Sequence, residues 1–206
     1  MTAFMSKPGF KPVKHLTGAP YNGQANMYQV IGATSLVPGD VVTLDGTGHA
    51  SGIPTCTIGT AAAIPCGVVV GIVNTKRDPV LGTMTTGSIS LDTPQAAAAG
   101  SYVMVADAPD LVMETEIAAY VQADVNTNLE LVPTSYNTTT GASNMKVITN
   151  TDAATDPFKL MGIPQREQYV SGATYARPAA SGDTNVKVLV TFNTHAYKGT
   201  TGTAAV

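Results

Sequence analysis

Between Ser101 and Ile117 the chain reads SYVMVADAPDLVMETEI, two alternating runs separated by a proline. Successive side chains of a strand point to opposite faces, so Val103 and Val105 fall opposite Tyr102, Met104 and Ala106. Pro109 has no N–H to give to a ladder and breaks the run. Beyond it Leu111, Met113, Thr115 and Ile117 line one face, and Val112, Glu114 and Glu116 line the other. A strand–turn–strand unit of this kind should pack its apolar face on a core and turn its acids outward. Nothing in it is catalytic alone.

The rest of the chain repeats that grammar in shorter words. MYQVIG from Met27 and VVTL from Val41 read as strands. Between them Pro38-Gly39 supplies the central pair of a type II turn. Asp45-Gly46 is a hairpin dipeptide, and residues 46–60 read as a Gly/Thr/Ser loop. IPCGVVVGIVN, 64–74, carries a Val run expected to be buried on both faces, and 83–93 fits an edge strand. Gln95–Ala99 has room for one helical turn, and Ile117–Val125 is the best helix candidate. Strands are expected again over 126–132, 145–148, 158–163 and 185–193. In the last, Val186, Val188, Val190 and Phe192 share a face. No repeat of fixed period shows.

The first 26 residues differ. Pro8, Pro12 and Pro20 favour extended backbone, and Phe4, Phe10, Leu16 and Tyr21 are spaced along it as anchors. Such a segment builds no core of its own. It lies over the body or docks on a neighbour. The expected fold is therefore all-β: an antiparallel β-sandwich or barrel with long loops. It divides into an extended N-terminal arm (1–26), a body (27–198) with a possible subdomain boundary at the polar loop 134–143, and a flexible tail (199–206).

Only 12% of the 206 residues are charged, about half the usual share. Two readings stay open: a surface buried in an assembly, or a neutral Thr/Asn/Ser coat. The net charge of −3 is unevenly spread. Lys7, Lys11 and Lys14 make the arm basic, while residues 21–130 carry ten acids against Lys76 and Arg77. Three lysines do not make a nucleic-acid site, which rests on many phosphate contacts. No run approaches the ~20 apolar residues of a membrane span. The N-terminus lacks the apolar segment of a signal peptide, so synthesis in the cytosol is expected.

Chemistry is harder to find. Glu114 and Glu116 share a strand face, as acid/base carboxylates could, yet an acidic solvent face gives the same pattern. Asp107, Asp110 and Asp124 do not have EF-hand spacing. His15, His49 and His195 sit apart from Cys56 and Cys66, which are either free thiols or a disulfide. No GxSxG turn and no phosphate loop occurs. No cofactor, metal or catalytic residue is therefore assigned.

Seven pieces, in this order, resemble the capsid decoration or cement proteins of tailed phages: KPGFKPVKHLTGAPYNGQ, SLVPGDVVTLDG, PCGVVVGIVN, GSYVMVADAPDLVMETEI, VNTNLELVPTSYNTTTGASNMKV, PFKLMGI and NVKVLVTFNTHAY. The resemblance implies a non-enzymatic virion component on the capsid exterior. It would clamp neighbouring major capsid protein subunits, commonly as a homo-oligomeric dimer or trimer, without touching nucleic acid or membrane. Carried onto the arm, it makes Lys7, Phe10, Lys11, Lys14, His15, Leu16 and Tyr21 the capsid-facing set, and an arm-less chain should then still fold. The alternative is a receptor- or glycan-binding fibre or tail module, with Tyr136 and Tyr175 among its polar loops.

Overall fold

The computed structural model describes residues 9–32, 35–48, 52–61, 63–73, 75–77, 84–86, 96–138, 141–149, 153–168 and 179–198. Lys7, His49 and Tyr175, and most of the expected edge strand 83–93, lie outside them. The described residues are nearly all β. In chain order the strands are β1 (Lys11–His15), β2 (Asn26–Val30), β3 (Val41–Gly48), β4 (Pro54–Ile58), β5 (Gly67–Val73), β6 (Thr75–Arg77) and β7 (Met84–Thr86). Then follow β8 (Tyr102–Ala106), β9 (Leu111–Ala119), β10 (Asn128–Val132), β11 (Lys146–Ile148), β12 (Phe158–Gly162) and β13 (Thr184–Phe192).

β2, β4, β3, β5 and β8 close into a five-stranded barrel. β9, β11, β10, β12 and β13 make a second ring, closed by the long antiparallel pairing of β13 with β9. β8 and β9 are not partners. The turn at Pro109–Asp110 carries the chain from one ring to the other, so the subdivision falls there and not in the loop 134–143, which joins β10 to β11.

The two rings are the same design. In each, the first and third strands run parallel while the other ladders are antiparallel. The registers also correspond. Tyr28 faces Val103 as Thr115 faces Val188. Val30 faces Cys56 as Ile117 faces Val147. Leu44 faces Cys56 as Leu131 faces Val147. Val42 faces Gly67 as Leu129 faces Phe158. Val69 faces Val105 as Leu160 faces Val190, and a bulge follows in both, before Gly71 and before Gly162.

Even the turn before the second strand matches. Asp40 N–H donates to Val37 O, and Thr127 N–H to Asp124 O. The residue before each donor has positive φ, 98° at Gly39 and 74° at Asn126. The strand positions 26–30, 41–44, 55–57 and 67–71 thus correspond to 113–117, 128–131, 146–148 and 158–162. A fixed-period reading misses this because the connections between these blocks differ in length.

Four local expectations are corrected. Ile117–Val125 is not a helix: β9 runs on to Ala119, and Gln122–Asp124 form a single 3₁₀ turn. Two turns of helix cannot compete with a nine-residue strand that finds partners on both edges. Ala97 is extended and bridges Leu36, so the alanines 96–99 make no helical turn. The supposed loop 46–60 contains β4 and the end of β3. The arm is no separate unit from Gly9 onward: its residues Lys11–His15 form a strand of the body, paired with β9.

The rings share a core. Phe158, Phe192, Leu111, Met113 and the Val186/188/190 row fill the second, and Val41, Val68 and Ala106 of the first pack into the same cluster. A smaller cluster with Tyr28, Leu36, Cys56, Cys66 and Val103 fills the first. The arm locks the junction. Gly9 N–H donates to Met145 O of one ring and Phe10 N–H to Gly39 O of the other. A Cβ on Gly9 would lie 2.8 Å from Ser143 Cβ, so only glycine fits there.

Candidate functional site

The arm residues divide once their surroundings are known. Phe10 is 3% exposed, and its ring stacks on Phe158 at 4.8 Å. It is an anchor, but into its own chain. Pro12 is buried against β9. Tyr21 is half-buried, its hydroxyl donates to Gln24 O at 2.9 Å, and burial, helped by the nearby Asp107 charge, raises its pKa. His15 Nδ1 lies 3.1 Å from Asp110 Oδ1, which pins the end of β1 to the inter-ring turn. That leaves a solvent-facing rim of Lys11, Val13, Lys14 and Leu16, with Val13 39% and Leu16 46% exposed. Leu16 extends past the strand because its N–H donates to Asp110 O. The rim is basic and apolar together, which suits an acidic protein surface with apolar contacts.

The carboxylate pair does not stand free. Arg166 forks both oxygens of Glu114 at 2.6 Å, and Lys187 Nζ lies 3.3 Å from Glu116. Each acid has its own cation, on a wall whose Lys187 is only 6% exposed. A cleft of about 710 Å³ opens beside it, lined by Phe10, Lys11, Tyr21, Gly39, Glu114 and Lys187 among others.

A second constellation has no signature in the sequence. After β13 the chain returns to the first ring: Ala196 N–H donates to Pro65 O, and the hydroxyls of Tyr197 and Tyr28 meet at 2.8 Å. The Tyr28 hydroxyl also donates to Asp107 at 2.7 Å, and Asn26 holds both oxygens of that carboxylate. His195 is fully buried beside Phe192. Its Nδ1 accepts the Tyr197 N–H at 3.1 Å, which places the ring proton on Nε2, where no well-formed hydrogen bond meets it.

Cys66, His195 and Asp107 thus come into one neighbourhood, as in a thiol nucleophile. The electrostatics run the wrong way for one. Burial pushes the Cys66 thiol well up and Cys56 up to about 12, and it pulls His195 down to about 4. A reactive thiol needs the opposite shift and access to solvent. Both cysteines are free and buried. Among the described residues no group of three His, Cys, Asp or Glu side chains is placed to hold a metal. No helix among them is long and apolar enough to cross a membrane.

Against protein-family models, curated proteins and solved structures, the chain has no match.

Proposed function

We propose that this chain is a bacteriophage virion structural protein that binds the outer surface of the capsid and stabilises contacts between major capsid subunits. The observation that carries the proposal is the arm. It straps two barrels through a shared core and still presents Lys11, Val13, Lys14 and Leu16 outward. A rigid two-barrel block with a fixed adhesive rim binds at little entropic cost, because the rim is ordered before contact. Repeated over a shell, modest contacts sum to firm attachment. No step of this role needs a nucleophile, and the acids and thiols described above are engaged or buried.

The test is co-sedimentation with purified heads lacking this protein, followed by counting copies per major capsid subunit. Binding at a simple fixed ratio supports a cement role. A few copies per particle, or none, sinks it. Lys11→Glu with Lys14→Glu should weaken the binding and make it less sensitive to salt.

One observation favours the fibre or tail alternative. Tyr197 is 53% exposed beside the Asn26–Asp107 pair, an aromatic platform flanked by an amide and a carboxylate, as sugars require. Under that reading the protein binds glycans, and Tyr197→Ala abolishes the binding while attachment to heads is unaffected.

A further inference from the structure

The rings differ in what lies on the free side of their first strand. In the second ring β9 carries β1 along Leu111–Glu114, with β11 beyond at Ile117. In the first ring β4 takes the place of β11, at Gln29–Val30. Upstream of it, among the described residues, no strand pairs with that edge of β2.

The backbone groups there point outward for a geometric reason. Val30 N–H donates to Ser101 O on the β8 side, and Ile31 N–H donates to Cys56 O on the β4 side. Alternate residues of a strand share a side. Met27 therefore directs its N–H and carbonyl to the β4 side, ahead of the point where the β2–β4 ladder begins. Met27 is 39% exposed, and its cross-strand neighbour Met104 is only half-buried. The matching residue of the second ring, Glu114, sits opposite Lys11 of β1.

We infer that this edge of β2 receives an extended segment of the shell subunit, laid antiparallel as β1 lies on β9, with an apolar side chain over Met27 and Met104. The inference rests on the shell-binding reading above. The internal twin supplies the template: an identical ladder already holds a strand at the equivalent edge. Neither ring has a spare strand for it, and among the described residues the two-stranded sheet outside the rings, β6–β7, pairs only within itself. Both rings are closed, and the outer edge of β1 is taken by Ala19–Tyr21, where His15 N–H donates to Ala19 O and Tyr21 N–H to Val13 O. Strand addition through main-chain bonds, with side-chain pockets setting specificity, is a general mode of recognition.

The test substitutes Met27→Pro. Proline removes the outward N–H but leaves the β2–β8 ladder intact, a placement that edge strands tolerate. Purified heads lacking this protein are the probe, Met27→Val is the control, and hydrogen exchange reads the Met27 amide of the unsubstituted protein on the shell. The expected result is about a tenfold or greater loss of binding for the proline variant, near-normal binding for valine, and a protected Met27 amide. Equal binding by the proline variant, or an unprotected amide, overturns the edge contact while the shell reading stands. No binding by the unsubstituted protein overturns both. Self-association that Met27→Pro abolishes would make a second copy the occupant and overturn the inference.

Discussion

The two barrels share every ladder register but not their contents. The second is filled by Phe158, Phe192, Leu129, Leu160 and a row of valines, with Phe10 stacked in from the arm. The first is filled by Tyr28, Leu36, a set of valines and two cysteines, with a histidine from the C-terminal return buried beside Cys66. Where the second has Phe158 the first has Gly67, whose added Cβ would lie 2.5 Å from the Ala106 carbonyl oxygen. Where the first turns Val41, Val68 and Ala106 into the shared core, the second has Asn128, Lys159 and Thr191. A barrel's hydrogen-bond pattern is set by strand order, bulges and turns. It survives wholesale exchange of side chains provided each cavity stays filled.

The sharpest way to break this comparison is to empty the fuller barrel. Phe158→Ala removes a fully buried ring that touches Phe10 and Phe192, and should cost about 3–5 kcal/mol. Phe10→Ala should approach the same figure, because Phe10 is itself a core ring stacked on Phe158. Urea denaturation measures both. A loss below about 1 kcal/mol for Phe10→Ala would return the arm to the status of a detachable segment.

Next comes the ion pair with a neutral twin. Glu116 faces Lys187 where the first barrel has Gln29 facing Tyr102. Lys187→Met strands a largely buried carboxylate and should destabilise by about 3 kcal/mol. Glu116→Gln with Lys187→Tyr installs the twin's pair and should recover most of that loss. Equal destabilisation by the single and double variants would show that the positions are not equivalent.

The first barrel should be the acid-sensitive one. Burial lowers the His195 pKa from 6.5 to about 4, so the native state holds the ring neutral while the unfolded chain protonates it earlier. The unfolded state binds more protons between these values. Stability is therefore fully present above pH 6.5 and is lost as the pH falls toward 4, by about 3 kcal/mol at most. His195→Phe should flatten that part of the stability–pH profile, since it removes the titration. An unchanged profile would place the acid response elsewhere.

How much of this was legible in the sequence follows from what each feature depends on. The alternation at Leu111–Ile117 and Val186–Phe192 sorts the side chains of two strands into their faces, because period two is a local property, but it does not give their burial: Val112, Lys187 and Thr191 on the second faces are buried, and Glu116 is paired with Lys187 rather than turned outward. The Pro38-Gly39 turn is legible for the same reason. The pairing of those strands into two rings was not readable, since Val30–Cys56 and Ile117–Val147 are contacts made through closure of a barrel. β1 has no signature in the sequence, because Lys11, Val13 and Lys14 face solvent and only Pro12 is inward, which leaves no apolar period. The Asp107–Tyr28–Tyr197 cluster joins residues from three distant segments, and no spacing rule reaches that far. Of the arm set, Phe10 has the spacing of an anchor, and the fold seats it in its own chain rather than presenting it to a partner.

The smallest expected effect is also the cleanest probe of equivalence. Gly39 and Asn126 occupy the same turn position with φ of 98° and 74°. Asparagine enters the left-handed region more cheaply than other side-chain-bearing residues, and glycine enters it freely but gives up more unfolded-state entropy. Asn126→Gly should thus change stability by no more than about 0.5 kcal/mol, while Asn126→Ala should cost about 1 kcal/mol. At Gly39 the space differs as well as the angle. An added Cβ would meet Ser143 Cβ at 3.2 Å and Gly9 Cα at 3.4 Å, where the arm and both barrels converge. Gly39→Ala should therefore cost about 2 kcal/mol, the sum of the backbone penalty and the crowding. Equal costs for alanine at the two positions would mean that the turn alone matters and that the junction around Gly39 is looser than its geometry implies.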